Sequence, residues 1–184
     1  MHLIRSGEPV TSLRLFDSAD LGNLGKILIE VGKALQKRSR PSASTSNDLC
    51  KEDTTLPFNA IALQALISER HGISKTEVLK ITRGLYEKGF ITYPLSQCSY
   101  LPVVQHREAS EILLNIARTM PDLIWLTSQA DPSIQSRAFD DEKVGHHQGI
   151  IPKCSASNTS HLSEIERDVY RTVCLQYIAQ FYPD

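Results

Sequence analysis

No apolar run in this chain approaches the roughly 20 residues that a helix needs to cross a bilayer. The opening residues, Met1-His2-Leu3-Ile4-Arg5, carry no signal-peptide hydrophobic region. Those two absences point to a cytoplasmic protein with no membrane partner. The four cysteines, Cys50, Cys98, Cys154 and Cys174, stand far apart and form no C-x-x-C pair. Neither a zinc ribbon nor a disulfide framework fits that spacing, and free thiols in a reducing compartment are expected. A net charge of −1 removes any global basic field. Contact with a polyanion must therefore come from a local patch. A Walker A glycine loop is missing, as is a D-x-D with an upstream glutamate, so neither nucleotide-phosphate chemistry nor a bound metal is expected of these residues. The compact run Asp140-Asp141-Glu142 does not replace them, because adjacent carboxylates rarely converge on one ion.

What is present suits an ordinary soluble domain. The chain has 184 residues, 41% of them hydrophobic and 22% charged, enough for one domain or one domain and a fragment. A weak alternation predicts a strand over Thr11 to Phe16. Asp17 to Asp20 then caps an amphipathic helix with Leu21, Leu24, Ile27, Leu28, Val31 and Leu35 on one stripe. From Gln36 to Thr55 the sequence is polar and reads as a flexible connection, its basic cluster Lys37-Arg38-Ser39-Arg40 either solvated or touching a phosphate backbone. Two helices follow in quick succession. The first runs from about Asn59 to Arg70, and the second starts at the capping box Ser74-x-x-Glu77, with Ile73 and Val78 as hydrophobic staple and Gly89 as stop. Phe90 to Tyr93 predicts a short strand. Helix, tight turn, helix and strand is the order of a winged-helix or helix-turn-helix unit. A further helix is expected from about Val104 to Thr119, and residues Trp125 to Gln148 read as irregular. The last helix opens on a second capping box, Ser163-x-x-Glu166, and carries Val169, Val173, Tyr177 and Phe181 on one face.

The run Phe90 to Pro102, F-I-T-Y-P-L-S-Q-C-S-Y-L-P, is the most informative segment. Ile91 and Thr92 favour an extended backbone, and Pro94 pushes Tyr93 away from helical dihedrals. The phenol of Tyr93 thus stands where a strand ends, either packed there or presented for chemistry. This run resembles the I-T-Y-P-R-S-D-C-R-Y-L-P pattern around the nucleophilic tyrosine of type IA DNA topoisomerases, in their topoisomerase III branch. Leu56-Pro57-Phe58-Asn59 with Leu63-Gln64 is similar to the family's L-P-F-(S/N)-x-x-x-L-Q. Phe139 to Val144, His147 and Ile150-Ile151-Pro152 resemble W-D-D-K-K-V-x-x-H-H-A-I-I-P-T. The three motifs keep the family's order and cover roughly residues 56 to 184.

The resemblance implies that Tyr93 attacks a backbone phosphate of single-stranded DNA, giving a 5'-phosphotyrosine and a free 3'-hydroxyl, with resealing that needs no ATP. A phenol, with a pKa of about 10, leaves far more readily than an alkoxide, so the link is reversible. Counted back from Ile150-Ile151-Pro152, the first motif histidine falls on His147 and the alanine on Gly149. His147 either assists at the phosphate or is a surface residue. The family's arginine is Leu95 here and its aspartate is Gln97, so the bidentate phosphate partner is missing. DNA contact is expected from Ser96, Arg137, Lys143 and Lys153, the three cations being candidates to replace the arginine. Arg137 and Lys143 have an equal alternative as solvated charges or ion pairs with Asp140, Asp141 or Glu142. Tyr100 and Trp125 either stack on unpaired bases or pack in the core.

The implied fold is mainly α with short β-strands. Residues 56–184 are expected to form a winged-helix (CAP-like) tyrosine domain, and residues 1–55 a polar linker and a piece of the adjoining gate domain. The chain then reads as part of a longer enzyme, inactive alone. Mg2+ would be held by a separate toprim domain, and the remaining domains of the same polypeptide would be partners along with single-stranded DNA. Two rivals stay open. One is a DNA-binding winged helix without catalysis, and the other is a structural gate module in which Tyr93 packs internally.

Overall fold

The structure is a computed structural model, and it describes residues 56–183. The strand expected over Thr11 to Phe16, the helix over Leu21 to Leu35, the polar connection and Cys50 lie outside the described residues.

Five α-helices carry the fold of the described residues. Helix α1 (Ala60–His71) starts where the Asn59 side chain accepts from the Ala62 N–H at 2.9 Å, and it ends at Gly72. A φ of 65° at Gly72 is a left-handed cap that a glycine adopts without strain. Helix α2 (Lys75–Glu87) begins with both halves of the expected capping box. The Glu77 N–H donates to Ser74 Oγ, and the Ser74 N–H donates to Glu77 Oε2 at 2.9 Å. Its inner face buries Val78, Thr82 and Leu85. Gly89, at φ 80°, turns the chain out of the helix.

After Pro102 the expected long helix divides. Val103–Glu108 is a 3-10 turn with no buried residue, and α3 (Ala109–Thr119) carries the stripe Ile112, Leu113 and Ile116 into the core. Pro121–Leu123 forms a second 3-10 turn leading into α4 (Ile124–Gln129), within a stretch whose sequence reads as irregular. Six residues are too few to show a helical period. Helix α5 (Glu164–Ile178) opens on the second capping box and runs into a 3-10 turn, Ala179–Phe181. All four residues of its expected stripe, Val169, Val173, Tyr177 and Phe181, are buried.

The helices share one hydrophobic core. Phe90 meets the Tyr170 ring edge-on at 5.0 Å, and Tyr177, Phe139 and Phe181 form a second group of rings around α5. Cys98, Cys154 and Cys174 are free thiols. No described helix is long and apolar enough to cross a membrane.

The described residues are mainly helical and contain no β-strand, only three isolated bridges: Phe58 with Ile150, Ile91 with Pro152, and Leu101 with Phe139. The strand expected at Phe90 to Tyr93 is thus reduced to one bridge. Competing partners explain it. The Phe90 N–H is taken by the Leu85 carbonyl and the Ile151 N–H by Thr92 Oγ1, so neither bond that would extend the bridge forms, and Pro94 offers no donor beyond Tyr93.

An ion cluster joins the end of α1 to α5. Asp168 accepts from His71 Nε2 at 2.8 Å and from Arg70 at 3.1 Å, and Arg70 also donates to Thr172 Oγ1 at 2.8 Å. Partial burial pushes the Asp168 carboxyl upward, but the bonds from His71 and Arg70 outweigh it and hold the group below its ordinary value of 3.8. A depressed carboxyl pKa stabilises the fold above the ordinary value, and the benefit fades as pH falls through the lowered one. Thermal unfolding followed from neutral pH into acid should therefore show a steeper loss below pH 3.8 in the parent chain than in Asp168→Asn. Equal acid limbs would remove this cluster from the stability of the fold.

Candidate active site

Of the six tyrosines, three are unsuited to attack. Tyr170 and Tyr177 are fully buried, and burial drives the ionisation of both phenols far upward. The Tyr182 hydroxyl donates to the Leu126 carbonyl at 2.7 Å, and burial raises its pKa as well. Tyr100 lies half-buried beneath the Lys143 ammonium, 5.0 Å from its ring centre. Tyr86 is exposed near the end of α2. Tyr93 sits half-exposed at the head of a turn, and no described residue hydrogen-bonds its hydroxyl.

That turn is built by backbone bonds. The Ser96 N–H reaches back to the Tyr93 carbonyl at 3.4 Å, which places Pro94 and Leu95 at the two central positions. Proline suits the first of these because its ring presets φ. The Ser96 carbonyl in turn accepts from the Ala60 N–H at 2.7 Å, satisfying a donor that the first turn of α1 leaves unpaired. Asn59, already the cap of α1, donates from its amide to Ser99 Oγ at 3.1 Å. The tyrosine turn is thereby fixed to the start of α1.

A third segment closes the site. Residues 149–153 run beside both of the others. Ile150 donates to the Phe58 carbonyl at 2.7 Å, Thr92 donates to the Ile151 carbonyl at 2.9 Å, and Lys153 donates to the Phe90 carbonyl at 3.0 Å. The Thr92 hydroxyl stands in for a backbone group, donating to the Gly149 carbonyl and accepting from the Ile151 N–H, both at 3.0 Å. Gly149 donates to the Tyr100 carbonyl at 2.8 Å. A Cβ on Gly149 would stand 3.0 Å from Pro57 Cβ and 3.4 Å from the Ser99 backbone. The three segments close tightly enough here that only a small residue fits without a shift of its neighbours.

This arrangement carries the His147 ring to Tyr93, with centroids 4.1 Å apart and planes 33° from parallel. The contact is a stack, so both imidazole nitrogens remain available to a ligand. His147 is otherwise exposed, and its carbonyl accepts from Ser96 Oγ at 3.0 Å. Ser96 is 1% exposed, and its hydroxyl also accepts from the Cys98 N–H at 3.2 Å. Its hydroxyl therefore holds the loop that bears His147. Tyr86 also meets the Tyr93 ring, at 5.9 Å and nearly perpendicular. Sequence reading passed over Tyr86, although its place one turn before Gly89 on a capped helix directs it toward the segment that follows.

The cations are spread more widely. Lys143 bonds Asp140 at 2.8 Å, and that bond holds the ammonium above and the carboxyl below their ordinary ranges. Arg137 is exposed and Lys153 half-buried. Asp141 accepts from the Val103 N–H at 2.8 Å. Two of the three acidic groups at 140–142 are thus already engaged, and among the described residues no group of three potential ligands converges on a metal position. The residues present do not fit a divalent cation. Trp125 is exposed on α4.

Residues 30–184 match the family model described as DNA topoisomerase. The chain is 33% identical over 159 residues to DNA topoisomerase 3 of Vibrio cholerae, covering 86% of this chain and 25% of that protein. It is 38% identical over 135 residues to DNA topoisomerase 3 of Pasteurella multocida, covering 72% and 20%. DNA topoisomerase 1 of Bacillus anthracis is 28% identical over 132 residues, covering 71% and 15%. The chain spans about a quarter or less of the length of these curated relatives.

The close approach at Gly149 makes a clear expectation. Gly149→Val should lower stability by about 1–3 kcal/mol through overpacking. Gly145→Val, at a glycine whose added Cβ meets nothing within 4 Å, is the control. Chemical denaturation of the two variants checks this, and equal midpoints would rule out a packing constraint at Gly149.

Proposed function

Because the chain belongs to the DNA topoisomerase family, in its topoisomerase III-like type IA branch, we propose that it supplies the nucleophilic tyrosine of a transient DNA cut. The phenolic oxygen of Tyr93 bonds to the phosphorus of a single-stranded backbone phosphate. The bond from that phosphorus to the 3'-oxygen breaks, the 3'-oxygen takes up a proton and the phenol loses one. Resealing is the reverse, with the phosphodiester's energy held in the phosphotyrosine link. The observation that carries this reading is the stack of His147 on Tyr93, the one tyrosine at a fixed turn whose hydroxyl no described residue engages. His147 holds or polarises the phosphate by donating from a ring nitrogen.

The remaining assignments follow from position. α1, its tight turn, α2 and the extended residues 90–93 form a helix-turn-helix unit with a much reduced wing. Lys153, Arg137 and Lys143 are the cations offered to the DNA backbone, and Ser96 serves the strand indirectly by holding the His147 loop. Magnesium belongs, in this reading, to an acidic domain of the longer enzyme, and the whole protein acts in the cytoplasm. Leucine at position 95 leaves the phosphate without the two-pronged donor that arginine gives, which makes cleavage slow.

The test places residues 56–183 into the matching segment of the Vibrio cholerae DNA topoisomerase 3 and traps adducts on end-labelled single-stranded DNA with detergent. A covalent adduct is expected from the parent and none from Tyr93→Phe. Leu95→Arg should speed its formation by about 10²–10³-fold. DNA binding without any adduct would leave a non-catalytic module, and an adduct that survives Tyr93→Phe would move the nucleophile elsewhere.

A further inference from the structure

The geometry points to Tyr86 as a positioning residue that aims the Tyr93 phenol, an inference that rests on Tyr93 being the nucleophile. Tyr86 lies in the last turn of α2, beside the fully buried Leu85, yet is itself 41% exposed. It is not part of the hydrophobic core. Its ring meets that of Tyr93 at 5.9 Å and 86°, the edge-to-face geometry that aromatic quadrupoles favour.

The backbone of the tyrosine turn is fixed by bonds to α1 and to residues 149–153, but a tyrosine side chain still turns about two torsions. With no described residue bonded to the hydroxyl, ring contacts set where the oxygen points. Two such contacts are present. His147 stacks on Tyr93 from an exposed loop, whereas Tyr86 belongs to a thirteen-residue helix with a complete capping box. Groups on helices hold a reacting atom more tightly than groups on loops. Displacement of an attacking atom by about 1 Å can cost 10²-fold in rate. Tyr86 is thus the rigid reference against which the phenol is oriented, and it makes the contact with its ring, not its hydroxyl.

Two measurements decide this. In the chimaeric enzyme, Tyr86→Ala should slow adduct formation by about 10–100-fold with DNA affinity unchanged, and Tyr86→Phe should keep the parent rate. An alanine variant at the parent rate, a phenylalanine variant as slow as alanine, or affinity falling in step with rate would each overturn the role. In the 184-residue chain itself, with 13C-labelled tyrosine rings, Tyr86→Ala should move the Tyr93 ring resonances while the melting temperature stays close to the parent's. Unmoved resonances would overturn the role whether or not any adduct forms. A parent chimaera that forms no adduct would instead sink the cleavage reading and leave the ring measurement to judge Tyr86.

Discussion

Residues 149–153 are the constraint on which the site depends. This short extended segment bonds Phe58 on one side and Phe90 and Thr92 on the other, and its glycine lies against Pro57 and Ser99. The start of α1, the tyrosine turn and the His147 loop already share bonds through Ser96 and Asn59, and this segment adds a second set. With it they become one rigid piece, although no strand ladder is present among the described residues. The bonds are individually modest, about 0.5–1.5 kcal/mol net each. Their effect comes from joining segments that are far apart in sequence.

The local parts of this fold are legible in the sequence because their causes are local. Both capping boxes appear with the expected atoms, and the stripe on α5 is buried along its length. Legibility fails where a distant segment decides the outcome. The strand at Phe90 to Tyr93 shrinks to one bridge because the Ile151 N–H is taken by Thr92 Oγ1 and the Phe90 N–H by the Leu85 carbonyl. Asn59 reads as the start of a helix, but nothing nearby in sequence reveals that its amide also holds Ser99. Ser96 reads as a contact for DNA, yet a buried hydroxyl that bonds the His147 carbonyl emerges only once the loops are folded together. α4 escapes notice because six residues set no period.

The charges around the site are equally local. A chain with a net charge of −1 cannot attract DNA through a long-range field. Lys143 leans on Asp140 and over Tyr100, so it arrives already partnered. Neutral Leu95 occupies the third position of the turn that Tyr93 heads. The ring that the structure does bring to Tyr93 is the imidazole of His147. The Tyr93 ring thus has aromatic contacts, from His147 and Tyr86.

The Tyr93 hydroxyl, unbonded among the described residues, has a consequence for where its proton goes. His147 lies across the phenol ring as a stack, so it is not set to take that proton, and the acidic groups of Asp140 and Asp141 are turned to Lys143 and Val103. No described carboxylate or imidazole is therefore hydrogen-bonded to that hydroxyl. Under the proposed cleavage, the group that takes up the proton comes from outside these residues, and a strand is held here before it is cut.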